Sequence, residues 1–556
     1  VAKGPAPEPL GNLTAPIYDA LLRETATIQG TTGTRIWLDV FRPETPGDVK
    51  VPVILVMTPY RALGDALGVL SCGAEPCPYD TDLVEFFVPR GYAVAFSDVR
   101  GNHNSGGCID QTGPGQWQDG YDTVEWLGTQ PWSNGRVGMY GISYDGETQH
   151  STAFLQPPHL VTIVPAAAVS SQYDYVFFQG VPYELSAPST MAAYFAISAV
   201  PGTDPGAVPH YPERIECQPE NFQTALDRSG DHTPYWLDRE YRLHMGKVNV
   251  SVLHIHGLAD WNVKPNQIEG FFNGLTNASV KRGLYGQWPH AFPDREDWFK
   301  EGGILHRWYD HFLLGIDTGL LQELPPVLIE DTEGQWRGID SFPPLNQSWL
   351  ELHLLADGTL GDAVGEAVTL EVYDVPREAG YTFSPPYSGA PVDPAGSLGY
   401  ALRGAPPRLV FESKPLAEPL RLTGVPFLTF TAETDATSTH WAALVEIVHS
   451  DGTVAWMNRG YQDTRHLAGL TNPKDLAPGE AYNVTLKMFP QEDVVPAGAK
   501  LRLTLSNDDD WIHQDTTYAT SRVHVGDGST VLHLPLAPLG QEYPADTLVP
   551  WTGGAP

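Results

Sequence analysis

The residues best suited to chemistry lie in Gly138-Met139-Tyr140-Gly141-Ile142-Ser143-Tyr144-Asp145-Gly146. The stretch has the form G-x-S-x-x-G, with apolar Val137–Tyr140 ahead of it and a helix-compatible run, Glu147–Leu155, behind it. A strand that turns sharply into a helix presents its apex serine to the solvent side of the sheet. Such a turn strains the backbone of the serine and needs small neighbours. The helix N-terminus beneath favours negative charge developing there. In the commoner G-x-S-x-G form the last glycine sits where Asp145 stands here, and Gly146 follows one place later.

A serine hydroxyl attacks only when a base takes its proton and an acid orients that base. On an α/β sheet with this turn the partners follow in the order acid, then histidine, each in a loop after a strand. The run Ser251–Ile255 leads into His256-Gly257-Leu258-Ala259-Asp260, which makes Asp260 the candidate acid. The run Arg282–Tyr285 leads into Gly286-Gln287-Trp288-Pro289-His290, which makes His290 the candidate base. His254 and His256 compete for that role, but His254 lies within the strand and reads as a core residue. A tetrahedral intermediate also needs donors for its oxyanion. One is the backbone N–H of Tyr144, and a second is expected from the loop after Val51–Met57, where Tyr60 sits. By position alone Tyr60 reads equally well as a packed aromatic.

The elements that must hold these residues alternate between strand and helix. Val51–Met57, Tyr92–Ser97, Leu160–Val164, Ser251–Ile255 and Arg282–Tyr285 are short apolar runs, the mark of strands buried on both faces of a parallel sheet. Thr25–Gln29 and Thr34–Phe41 form a possible strand pair ahead of them. Helices are expected at Gly120–Leu127, Pro265–Leu275 and Asp297–Leu314. The rhythm breaks over 170–245, where aromatics, prolines and a helical Met191–Val200 suggest an inserted cap. Beyond Gly319, alternating runs such as Phe427–Ala432, Trp441–Val448 and Leu501–Ser506 predict an all-β sandwich of jelly-roll type. The expected organisation is an α/β domain over 1–169 and 246–320, a helical cap over 170–245 and the sandwich over 321–556.

With 556 residues the chain needs two or three cores. Its net charge of −34 repels phosphates, which argues against nucleic acid and anionic membrane as partners. No apolar run is long enough to span a bilayer. Cys72, Cys77, Cys108 and Cys217 read as disulfide formers before free thiols or metal ligands, because no histidine accompanies them. The cysteines lean towards secretion, a cytoplasmic location being the alternative, while the sequons at Asn12, Asn249, Asn277, Asn346 and Asn483 add little in a chain long enough to gather several by chance. No cofactor or metal is called for, and homo-oligomerisation stays open.

The chain resembles the serine hydrolases that include Xaa-Pro dipeptidyl-peptidase, cocaine esterase and the α-amino-acid ester hydrolases. The likeness rests on Thr58-Pro59-Tyr60, Asp98-Val99-Arg100-Gly101, Gly141–Gly146, His256–Val263, Trp288-Pro289-His290 and the tail Arg307–Gly315. It implies an α/β-hydrolase fold in which Ser143 is the nucleophile, His290 the base and Asp260 the orienting acid. It also assigns the Tyr60 hydroxyl and the Tyr144 N–H to the oxyanion. The α-amino-acid ester hydrolases carry carboxylates just after the catalytic aspartate, where this chain has Trp261, Asn262 and Val263. The run Asp260–Lys264 is closer to the Xaa-Pro dipeptidyl-peptidases, although the large N-terminal domain of the lactic-acid-bacterial peptidases has no counterpart.

The resemblance therefore implies release of N-terminal dipeptides from short peptides, with hydrolysis of small acyl esters as the alternative. A dipeptidyl-peptidase needs an anion for the substrate amine; Asp145, Asp174, Glu147 and Glu184 are candidates. Tyr173, Tyr175, Phe177, Phe178 and Tyr183 of the cap, with Trp261, could form an apolar pocket or belong to the core. A reading of another class is a carbohydrate-binding sandwich on an inactive α/β scaffold. The intact set Ser143, Asp260 and His290 weighs against it.

Overall fold

Val51–Thr58 is buried at all eight positions, which only a central strand covered on both faces can satisfy. The computed structural model describes residues 13–61, 80–183, 189–202, 206, 211–216, 227–290, 299–373, 408–509, 511–512 and 519–538. Ten of its strands form one sheet: β1 (Leu21–Gln29), β2 (Arg35–Pro43), β3 (Val51–Thr58), β4 (Ala93–Asp98), β5 (Ser133–Ile142), β6 (Leu160–Ala166), β7 (Ser251–Gly257), β8 (Lys281–Gly286), β9 (Val327–Glu330) and β10 (Trp336–Ile339). Their spatial order is β1-β2-β4-β3-β5-β6-β7-β8-β9-β10. Pairing is parallel from β4 through β9, with antiparallel strands closing both edges. The strand pair expected near the N-terminus is β1 and β2, in register from Leu21↔Pro43 to Gln29↔Arg35.

Helices α1 (Thr81–Phe87), α2 (Pro114–Gly128), α3 (Tyr144–Ala153) and α5 (Ile304–Leu314) pack on the sheet, and α4 (Ser189–Ser198) falls in the segment expected as a cap. Helix α5 packs beneath the strands that lead to Ser143. Its Trp308 Nε1–H donates to Thr162 Oγ1 at 2.8 Å, and Tyr309 donates to the Met139 carbonyl at 2.9 Å. Of the helix expected over Asp297–Leu314, Asp297 and Trp298 lie outside the described residues, and the helix starts at Ile304, after Gly302 in a left-handed conformation and the N-cap Gly303. The expected helix Pro265–Leu275 is also corrected. It is a turn at Pro265–Gln267 and another at Phe271–Gly274, separated by Gly270 at φ 77°.

The segment expected as a helical cap contains α4, short helices at Gln172–Val176, Tyr211–Glu216 and Pro234–Leu237, and a small hairpin of Phe177–Phe178 with Val181–Pro182. Beyond it, two antiparallel sheets share one core. Leu428, Phe430, Leu486 and Leu532 come from one sheet, and Trp441, Val445, Leu501 and Leu503 from the other. Phe427–Thr434 alternates between half-buried and buried at every step, the period-2 signature of a sandwich strand. The sandwich is tied to the α/β half by two buried ion pairs, Arg337 with Glu492 and Arg421 with Asp331, and Arg421 also pairs with Glu492 within the sandwich. Of the cysteines, Cys108 is disulfide-bonded, and Cys72, Cys77 and Cys217 lie outside the described residues.

Candidate active site

Ser143 caps α3 at the end of β5 with φ 61° and ψ −124°, a conformation that a side-chain-bearing residue adopts only under constraint. The constraint is visible in its neighbours. A Cβ on Gly141 would come within 2.4 Å of the Asp145 Cβ. One on Gly146 would meet the Ala168 Cβ at 2.7 Å and the Ala166 carbonyl at 2.9 Å. Gly146 is therefore the residue that lets α3 sit down on β6. Asp145 stands where the commoner motif has glycine, and it is buried at the wall of the cavity above the serine. The Ser143 N–H donates to the Ala166 carbonyl at 2.9 Å, and its own carbonyl accepts from Gly146 and Glu147 at 2.9 Å.

The loop after β7 places Asp260 out of contact with solvent. Its Oδ1 accepts from the backbone N–H of Asn262 at 3.0 Å and of Val263 at 2.8 Å. Its Oδ2 accepts from His290 Nδ1–H at 2.7 Å. That bond fixes the tautomer and leaves His290 Nε2 as an acceptor on a side chain 24% exposed to the cavity. Burial acts to lower the His290 pKa, but the charge and hydrogen bond of Asp260 outweigh it and raise it above the ordinary value. Neither rival histidine is available. His256 Nε2–H donates to the Val263 carbonyl at 2.8 Å, and His254 Nδ1 pairs with the Tyr285 hydroxyl at 2.9 Å. Both are buried and held neutral by desolvation.

Tyr60 enters from the loop after β3. Its N–H donates to Thr58 Oγ1 at 3.1 Å. The next residue, Arg61, is clamped between Asp39 and Asp98. Asp98 also pairs with His103 Nδ1 at 3.0 Å and accepts from the Asn104 N–H at 3.1 Å. The Asp98 carboxyl stays below its usual pKa because Arg61 and His103 overcome the effect of burial. No motif in the sequence singles out this brace, although Asp98 belongs to the run that carries the family likeness. The Tyr60 hydroxyl meets the Tyr194 hydroxyl of α4 at 2.9 Å. Burial, with Asp145 adding to it, pushes the Tyr60 hydroxyl up to about 12, while Ser143, Tyr194 and the backbone of Tyr144 act to lower it. The Ser143 side chain and the Tyr144 N–H thus lie against the same hydroxyl.

Tyr60, Ser143, Asp145 and His290 line one cavity of about 540 Å³, together with Asp80, Tyr140, Tyr194 and Asn262, while Asp260 lies behind His290. Tyr140 belongs to the Gly138–Gly146 stretch but has no expected role there, and Asp80 and Tyr194 lie in no recognisable motif. Other expected pocket residues lie elsewhere. Asp174 is paired with Arg242 at 2.7 Å. Glu147 accepts from Gln172 at 2.6 Å and Tyr241 at 2.8 Å, and burial pushes its carboxyl up to about 7. Glu184 lies outside the described residues. Tyr175 stands behind the wall, its hydroxyl donating to Asn262 Oδ1 at 3.0 Å. Phe178 packs on Phe489 with ring centroids 4.6 Å apart. Trp261 packs on Trp456 at 4.2 Å and Trp511 at 5.4 Å. Phe178 and Trp261 are therefore spent on the contact with the sandwich, because the aromatic surface they meet, Phe489, Trp456 and Trp511, belongs to it.

The sandwich reaches the loop that carries His290 by a second route. Gln287 Nε2–H₂ donates to the Glu330 carbonyl at 3.1 Å and to the Glu492 carbonyl at 3.0 Å. This glutamine lies three residues before His290. Among the described residues no group of three or more histidine, cysteine or acidic side chains is placed to hold a metal ion, and no helix is long and apolar enough to cross a membrane.

A serine on a strained strand-to-helix turn above a mostly parallel sheet, sharing a cavity with an acid–histidine pair, defines the class: a serine hydrolase of the α/β-hydrolase type. Residues 32–292 match the model described as X-Pro dipeptidyl-peptidase (S15 family), and residues 318–522 match that family's C-terminal non-catalytic domain. The chain belongs to the family of α/β-hydrolase serine hydrolases that contains Xaa-Pro dipeptidyl-peptidase and cocaine esterase. Similar proteins include ones provisionally named Xaa-Pro dipeptidyl-peptidase. That of Streptomyces avermitilis is 28% identical over 85% of this chain and 76% of its own length. That of Bacillus anthracis is 27% identical over 90% of this chain and 85% of its own. In fold the chain is similar to an aminopeptidase from a marine-sediment thaumarchaeon (TM-score 0.73, 18% identity, 96% of this chain and 99% of that one). It is also similar to a CocE/NonD family hydrolase of Staphylococcus aureus (TM-score 0.71, 17% identity, 93% and 94%).

Proposed function

We propose that this protein is an Xaa-Pro dipeptidyl-peptidase-like serine peptidase that releases N-terminal dipeptides through an acyl-enzyme. The observation that carries the reading is the shared cavity of Ser143, His290, Tyr60 and the buried carboxylate Asp145. In this reading His290 Nε2 takes the Ser143 proton as Oγ attacks the scissile carbonyl, and Asp260 stabilises the imidazolium that forms. The Tyr60 hydroxyl and the Tyr144 N–H receive the oxyanion. His290 then passes its proton to the leaving amine, and water, activated in the same way, releases the dipeptide.

Asp145 supports a substrate with a free amine. Its charge raises the Tyr60 pKa, so it also opposes an oxyanion forming beside Tyr60. A substrate ammonium next to Asp145 removes that penalty, whereas a neutral ester leaves it in place. The disulfide at Cys108 supports an oxidising compartment, hence secretion. For the sandwich, the Gln287 bonds support a structural role at the wall of the site.

The test is a side-by-side assay of Gly-Pro-p-nitroanilide, its N-acetylated form and p-nitrophenyl butyrate, with Ser143→Ala as the blank. The expected result is turnover of the anilide that is lost on acetylation and reduced by roughly 10⁶ in the Ser143→Ala variant. Turnover of the butyrate ester alone would make the protein a carboxylesterase. Residual turnover in Ser143→Ala would overturn the nucleophile.

A further inference from the structure

The cap contributes a residue to the oxyanion machinery. We propose that Tyr194, on α4, is a positioning residue that holds the Tyr60 hydroxyl with its single proton directed at the oxyanion. The proposal rests on the reading of Tyr60 as an oxyanion donor.

The two hydroxyl oxygens are 2.9 Å apart, and the rings lie 6.2 Å apart at 42°. The Tyr194 ring also packs on the ring of Tyr144, with centroids 5.1 Å apart, which fixes its place beside the turn that carries Ser143. Tyr194 lines the cavity, yet it is only 8% exposed.

Proton counting then decides its role. A phenol has one O–H to donate and two positions at which to accept. Three groups act on the Tyr60 hydroxyl: the Ser143 side chain, the Tyr144 N–H and the Tyr194 hydroxyl. During attack the Ser143 proton leaves for His290, and the Tyr144 N–H is needed by the oxyanion itself. Tyr194 is the one of the three that can donate to Tyr60 while Tyr60 donates onward. The resulting chain, Tyr194 O–H to Tyr60 O–H to oxyanion, moves no proton between atoms, and each bond polarises the next. At rest the 2.9 Å contact fits either hydroxyl as donor, and the oxyanion selects the arrangement in which Tyr194 donates to Tyr60. Both phenols stay protonated near neutral pH, since burial raises Tyr60 to about 12 and Tyr194 well above its ordinary value.

The experiment is a double-mutant cycle of Tyr60→Phe and Tyr194→Phe, with kcat and KM measured separately on whichever of the three substrates is turned over. Tyr194→Phe is expected to lower kcat about five- to tenfold with KM little changed, and Tyr60→Phe to lower it about 10²–10³-fold. The double variant is expected to match Tyr60→Phe alone, because Tyr194 acts only through that hydroxyl. Wild-type kcat in Tyr194→Phe, a loss confined to KM, or losses that multiply in the double variant would each overturn the proposal. A wild-type rate in Tyr60→Phe would instead sink the oxyanion assignment on which it depends. Should Tyr194→Phe not fold, 3,5-difluorotyrosine at position 194 keeps the shape and makes the hydroxyl a stronger donor. A changed kcat at constant KM then supports the proposal, and an unchanged kcat overturns it.

Discussion

Replacing Asp260 by asparagine tests the acid–base reading most sharply, because the substitution preserves shape and changes two things at His290. The Oδ1 position accepts two backbone N–H groups, from Asn262 and Val263, at 3.0 and 2.8 Å. An asparagine therefore keeps its carbonyl oxygen there and turns its NH₂ towards His290. Nδ1 of His290, which now donates at 2.7 Å, would then face another donor. The imidazole resolves the conflict by moving its proton to Nε2, the nitrogen that must accept from Ser143. A catalytic base in the wrong tautomer costs about 10⁴ in kcat. The pH profile shifts as well. In the native protein the Asp260 charge and bond raise the His290 pKa against the effect of burial, so activity should fall as pH drops through a midpoint above about 6.5. With the charge gone, burial acts alone, and the midpoint of the residual activity moves below that value. The assay is kcat against pH for both proteins, with circular dichroism to establish that the variant is folded. A variant that keeps a tenth of the rate, or whose acid limb does not move, would refute the argument.

Gly146→Ala should destabilise the fold by roughly 1–3 kcal/mol, because the new methyl meets Ala168 and the Ala166 carbonyl inside the helix–sheet contact. A thermal or denaturant melt reads this directly, and an unchanged midpoint would mean that α3 can lift without cost. Gln287→Ala should lower kcat about 3- to 10-fold with only a small loss of stability, since it cuts the bonds that brace the His290 loop to Glu330 and Glu492. A native kcat would show that the loop keeps its position without them.

The sheet and the elbow were legible in the sequence for a definite reason. Strands covered on both faces, such as Val51–Thr58 and Ser251–Gly257, leave continuous apolar runs, and the candidate residues follow the ends of those runs. Local punctuation read less well: Gly270 splits one expected helix, and Gly302 with Gly303 delays another. The pocket was the least legible part. Trp261 is next to Asp260 in the chain, but its partners Trp456 and Trp511 belong to the sandwich, and no local pattern announces them. Asp174 looked like a free carboxylate until folding brought Arg242 to it. Tyr194 and Asp80 reach the cavity from a cap helix and a helix N-cap, positions at which tyrosine and aspartate are common for other reasons.

The bond from Gln287 to the backbone of Glu492 bears on how such a protein can be inherited and rebuilt. The loop that presents His290 is tied at once to the parallel sheet, through Glu330, and to the sandwich, through Glu492. Recombination between relatives at the junction of the two halves would therefore separate partners that have been fitted to each other, even though each half kept its own core. Both Gln287 side-chain contacts are to main-chain carbonyls, but the side chains at these positions are engaged too: the Gln287 N–H donates to Glu330 Oε2 at 3.1 Å, and Glu492 pairs with Arg337 and Arg421. Chimeras joined near residue 320 should consequently succeed or fail according to whether the incoming sandwich keeps partners for Arg337 and Asp331 and sets the peptide carbonyl at 492 within reach of Gln287, rather than according to overall similarity.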